Sequence, residues 1–149
     1  MTRNEVVAEA RTWIGTHFHH QAHIKGVGVD CAGLVRGVAM NLGILQPNFE
    51  SLPRAKEFMA YARNPNGASL MEACRLYMTE IDKADMQPGD VVVMSFDKHP
   101  QHLAILGDYR HGGLSIIHAS GRAGKVIETR MMFSNDMKFV AAFSLPGVN

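Results

Sequence analysis

The hydrophobic period of this chain changes once, near Gln87, and that change sets the fold class. Before it, apolar residues recur at the three- and four-residue spacing of helices. After it, they alternate or run in short β-rich blocks between turn residues. Helices first and then successive strands with short turns give an α+β domain, with helices packed on a mostly antiparallel sheet of about five strands. Thr2-Arg3-Asn4-Glu5 forms a capping box, and a first helix follows to about Trp13 with Gly15 as its stop. Residues 54–62 read as a short helix, and Asn64-Pro65-Asn66-Gly67 breaks it. Ser69 to Glu72 reads as a second capping box, opening a helix with Leu70, Ala73, Cys74, Tyr77 and Ile81 on one face. The strands fall at 91–96, 102–107, 114–119, 125–130 and about 138–145. With no repeat, linker or low-complexity segment, the 149 residues read as one domain, 1–149.

Composition removes several classes of function. A net charge of +1 gives no electrostatic case for nucleic acid. No apolar run approaches the roughly 20 residues that cross a bilayer, so no membrane insertion is expected. The first residues, MTRNEVVAEARTW, carry charges where a signal peptide has an apolar core. Synthesis in a bacterial cytoplasm without a signal peptide is the expectation. Two cysteines without close spacing, Cys31 and Cys74, support neither a disulfide framework nor a cysteine-based zinc site.

The chemistry centres on residues 25–43. Asp30 is placed to cap a helix whose apolar face carries Cys31, Leu34, Val35, Val38, Ala39 and Leu42, and Gly43 is a natural stop. Cys31 then occupies the first helical position, where free N–H groups and the helix dipole favour an anion. That is one way to lower a thiol pKa and make a nucleophile. The alternative is a small buried residue at a helix start. Cys74, interior to its helix, reads as structural.

A thiol nucleophile needs a base, and the base needs a group to orient it. In an antiparallel hairpin, facing positions have a constant sum; His102 and His118 sum to 220, centred in the turn region 109–113. A register slip of two keeps them on one face, and a slip of one separates them. This arrangement makes His102 the general base for Cys31 and His118 its orienter. Two half-buried structural histidines remain the alternative. His17, His19, His20 and His23 form a cluster that suggests a metal, but their loop lacks the fixed spacing of a stable site. They read as a polar loop, and neither metal nor organic cofactor is required.

Taken together, Trp13-Ile14-Gly15-Thr16, the run HQAHIKGVGVDCAGLVRGV from His20 to Val38, Gln87-Pro88-Gly89-Asp90, His102-Leu103-Ala104-Ile105 and Ile117-His118-Ala119 carry a resemblance. The chain resembles the NlpC-type cell-wall peptidases, papain-like cysteine enzymes, and in particular their phage-tail branch. The resemblance implies a papain-like fold, with Cys31 as nucleophile, His102 as base and His118 as the third residue. It implies a thiolate–imidazolium pair attacking an amide of a peptidoglycan stem peptide, between D-glutamate and the following diamino acid. It also implies a virion tail location and tail-tip partners. Asp30, Phe18 and Ala32 match positions that line the substrate pocket in such enzymes. Many members have Tyr near Phe18 and Ser at Ala32, so exact peptide specificity does not carry over. Two other functions use the same residues: a structural tail-tip or hub protein with weak or no catalysis, and an amidase or acyltransferase working through the same Cys–His pair.

Overall fold

The computed structural model describes residues 2–20, 22–44, 67–95 and 100–149. Among the described residues three α-helices, α1 (Arg3–Arg11), α2 (Cys31–Asn41) and α3 (Gly67–Tyr77), pack on a sheet. A hairpin of β1 (His23–Ile24) and β2 (Gly28–Val29) precedes α2. The main sheet holds β3 (Thr79–Ile81), β4 (Val91–Ser95), β5 (Pro100–Asp108), β6 (Leu114–Ser120), β7 (Lys125–Arg130) and β8 (Lys138–Ser144). Its order is β3-β8-β4-β5-β6-β7, and every neighbouring pair is antiparallel. This is the α+β, papain-like architecture.

Local chemistry sets the helix ends. Thr2 caps α1 through the Glu5 N–H, and the Glu5 carboxylate accepts the Thr2 N–H in return. At the end of α2, Gly43 takes a φ of +74°, which a side chain would resist. The N–H of Ile44 then reaches the carbonyl of Ala39, and that of Gly43 the carbonyl of Met40. Two carbonyls that the helix leaves open are thereby satisfied.

The sheet is covered on both faces. Val91, Val93, Leu103, Ile105, Ile117, Val126 and Phe143 pack with Val6, Ala10, Leu34, Val38 and Leu70 of the helices. Val92, Met94, Ala104, Leu106 and Ile116 pack on the opposite face with Met86, Met131, Phe133, Met137 and Phe139. Hence β4 reads as an unbroken apolar run rather than an alternating one, and it is buried along its length. Each such side chain contributes about 1.5–3 kcal/mol through burial.

The structure corrects the sequence reading in three places. The main sheet has six strands, because α3 stops at Tyr77 and Ile81 pairs with Ala142 in the edge strand β3. A three-residue strand is too short to display a period of two, so its pairing with β8 decides it. Ser69 lies within α3, which begins at Gly67, rather than at its cap. The β5–β6 register sums to 222, not 220, as Ile105 pairs with Ile117 and Asp108 with Leu114. The expected helix at 54–62, the breaker at 64–66 and the end of the first strand at Phe96 lie outside the described residues.

Candidate active site

The start of α2 is held from three sides. Asp30 is extended, and its carboxylate accepts the N–H of Gly33 at 2.7 Å. The Asp30 N–H donates to the carbonyl of Ala22 at 3.1 Å. The preceding loop is itself fastened: Phe18 N–H donates to Gly124, Gly15 N–H to Val126, and Val126 N–H back to Thr16. Gly33 is required at the helix start, because a Cβ there would collide with the Ala22 carbonyl. Further along α2, Gly37 leaves room for the Trp13 ring in the same way.

Cys31 is half-buried, and its thiol meets the backbone N–H of Leu103 on β5 as well as those of Ala32 and Cys31 itself. Burial pushes the thiol up to about 11, and the neighbouring Asp30 charge adds to the rise. The three amides pull it back without prevailing. A thiol lowered by the helix start is therefore not what the structure holds: desolvation of the charged form outweighs the helix terminus. Cys74 is fully buried, and burial pushes its thiol up to about 12.

His102 is next to Leu103 and 5% exposed; His118 is 8% exposed. The Nε2 of His102 and the Nδ1 of His118 are 2.7 Å apart. The rings meet edge to face, with centroids 4.9 Å apart and planes at 80°. Continuing the 222 register sets Ala104 opposite His118, so His102 is its diagonal neighbour on the same face. The slip of two from the expected register leaves the pair intact. Burial lowers His102 to about 3, helped by His118, and burial lowers His118 to about 4. Each imidazole is favoured in its neutral form, as is the thiol. Together these directions oppose a standing thiolate–imidazolium pair and favour a neutral resting pair.

The other expected residues are placed less evenly. Phe18 is 37% exposed, bridges to Val29 of β2 and lies beside Gly121. The methyl of Ala32 is buried in the core, which leaves its amide as the group that faces the thiol. Asp30 is a buried cap. In the histidine-rich loop, His17 bridges to Lys125 and the Nδ1 of His19 meets the carbonyl of His20. Among the described residues, no three His, Cys, Asp or Glu side chains group as a metal site. The sequence reading missed the Leu103 amide and the Ala22 carbonyl. Gly33, two residues after the cysteine, was the available signal for the second.

Comparisons follow the same lines. The model of the NlpC/P60 family matches residues 15–140. No curated protein matches. The NlpC/p60 domain of the peptidoglycan hydrolase SagA is 20% identical with a TM-score of 0.63, covering 97% of this chain and 100% of that one. NlpC2 from Trichomonas vaginalis is 17% identical with a TM-score of 0.66, covering 96% of this chain and 46% of that one. An N-acetylmuramoyl-L-alanine amidase from Bacteroides uniformis is 11% identical with a TM-score of 0.55, covering 96% and 98%. At these identities the structural likeness speaks for the fold.

Proposed function

The chain belongs to the NlpC/P60 family, and from that premise we propose that it is a cysteine hydrolase of amide bonds in bacterial peptidoglycan. The observations that carry the reading are the 2.7 Å contact of His102 with His118 and a helix-start cysteine whose thiol meets the amide of Leu103, the residue that follows His102 on β5. His102 spends its Nε2 on His118, so Nδ1 is the ring nitrogen that serves the thiol. In the neutral form that assignment puts the proton of His102 on Nε2, where it donates to an unprotonated Nδ1 of His118. His118 thereby fixes the tautomer in which His102 is a base toward Cys31.

In this mechanism the thiol proton passes to His102 Nδ1 as the sulfur attacks the amide carbonyl. The oxyanion that forms is met by backbone N–H groups at the start of α2. His102 then gives its proton to the leaving amine, and water releases the acyl group from sulfur. Because both partners favour neutrality at rest, charge separation accompanies attack rather than preceding it. Phe18 and the amide of Ala32 border the substrate, and Asp30 holds the helix start.

The finer reading is a cut between D-glutamate and the following diamino acid, by a phage or prophage tail component reaching the wall from outside alongside tail-tip proteins. It rests on the sequence resemblance. A second reading, an amidase using the same Cys–His pair, is favoured by the fold shared with the Bacteroides uniformis amidase. Mass spectrometry of the products from defined muropeptides tests both. A new amine on the diamino acid supports the first reading, and a free N-terminal L-alanine supports the second.

A further inference from the structure

The turn between β6 and β7 lies beside the histidine pair. Strands β5 and β6 pair from Asp108–Leu114 to Ile105–Ile117, whereas β6 and β7 stay paired as far as Ser120–Lys125. His118 faces Ile127 across that second ladder, so Lys125 is its diagonal neighbour on the same face, about 7–8 Å away. Ser120 fixes the turn: its hydroxyl accepts the Ala123 N–H at 3.0 Å and its carbonyl the Gly124 N–H at 2.8 Å.

The same turn is tied to the cysteine side. Residues 15–18 run along the outer edge of β7, where His17 bridges to Lys125 and the Phe18 N–H donates to the Gly124 carbonyl. On the far edge of that segment Phe18 bridges to Val29. The Val29 N–H donates to the His17 carbonyl, and the His19 N–H to the Val29 carbonyl. Lys125 and Val29 are thus two strand spacings apart, about 10 Å. Val29 leads through Asp30 to Cys31. The Phe18 ring lies beside Gly121, the residue before Arg122. Arg122 and Lys125 therefore stand on a rim that joins His118 to the approach to Cys31.

The charge on this rim has one sign. Arg122 and Lys125 are exposed, and among the described residues neither has a carboxylate partner. The two segments that meet here, 12–29 and 109–127, contain no Asp or Glu. Glu128 pairs with Ile117 on the other face and is held by Arg11 and Ser115. Two cations beside an aromatic ring, with no competing carboxylate, suit a carboxylate next to an apolar group.

We propose that Arg122 and Lys125 are specificity residues that recognise a free carboxylate on the stem peptide, flanking the bond cut at Cys31. The proposal rests on the peptidoglycan reading of the site and names the chemical form of that substrate which is preferred: the free acid over its carboxamide. Contacts away from the reacting bond act on binding, so they set KM rather than kcat.

The test is a steady-state comparison of the wild type with the double variant Arg122→Gln, Lys125→Gln. The substrates are a defined muropeptide with free carboxylates and the same muropeptide with those carboxylates amidated. The wild type is expected to show a KM about tenfold lower on the free acid, and the double variant to lose that preference with kcat within about twofold. A double variant that keeps the preference, or that loses equally on both substrates, overturns the proposal. Binding keeps the question separate from catalysis: the Cys31→Ala protein, with and without the two substitutions, is titrated with both muropeptides while the amide NMR signals of residues 121–126 are followed. Tighter binding of the free acid that the two substitutions abolish supports the proposal even if the wild type cleaves nothing, which would count against the proposed activity alone. Equal affinity for the two forms overturns it.

Discussion

His102 Nε2 lies 2.7 Å from His118 Nδ1, although the two residues are diagonal rather than opposite across β5 and β6. Only one proton fits between those nitrogens, so one ring donates and the other accepts; in the proposed mechanism His102 is the donor. Replacing His102 with Ala removes the base and is expected to lower kcat about 10²–10⁴-fold. His118→Ala leaves the base in place but frees its tautomer, so the loss is smaller, and His118→Gln, which keeps a hydrogen-bond acceptor, recovers part of it. Equal losses in all three variants would contradict an orienting role for His118.

Acid stability follows from the same pair. Both imidazoles are lowered by burial, from 6.5 to about 3 for His102 and about 4 for His118. Below pH 6.5 the unfolded chain binds protons that the folded pair refuses, so stability is full above that pH and is lost as pH falls toward 4 and 3. Each tenfold difference in proton affinity between the folded and unfolded chain corresponds to about 1.4 kcal/mol. Urea melts of the wild type between pH 7 and 4 are expected to show a steeper loss than those of His118→Gln. Parallel profiles would contradict the burial argument.

Thiol reactivity separates the two cysteines. Cys31 is half-buried and raised to about 11, while Cys74 is fully buried and raised to about 12. Iodoacetamide is expected to label Cys31 first, with a rate that climbs with pH through neutrality, and to spare Cys74 until the protein unfolds. A labelling rate that is already flat at pH 5 would indicate a standing thiolate–imidazolium pair instead of a neutral one.

Two glycines of α2 answer different questions. Gly37→Ala drives a methyl into the Trp13 ring, with an expected loss of about 1–3 kcal/mol in a urea melt. Gly33→Ala meets the Ala22 carbonyl beside the Asp30 cap. Its cost is expected to fall on kcat more than on stability, since it displaces the loop that fixes Cys31. If Gly33→Ala retains full activity, the close approach of Ala22 is not what positions the thiol.

Much of this site was legible because its parts are local. Asp30 as a cap, Gly43 as a stop and Thr2 with Glu5 as a capping box each depend on a few neighbouring residues, and each is in place. The His102–His118 pairing was legible because a strand period of two tolerates a slip of two. The thiol's electrostatics were not, since burial of Cys31 depends on β5, some 70 residues downstream in the chain, and on Asp30 acting as a charge as well as a cap. Strand β3 escaped notice because its three residues are decided by pairing with β8.

The central claim is that Cys31 is the nucleophile of a peptidoglycan hydrolase, and muropeptide release from purified peptidoglycan by wild type and Cys31→Ala tests it most directly, with thermal melts to establish that both are folded. The wild type is expected to release soluble muropeptides and Cys31→Ala none, at unchanged melting temperature. Release by a folded Cys31→Ala protein at the wild-type rate would contradict the account.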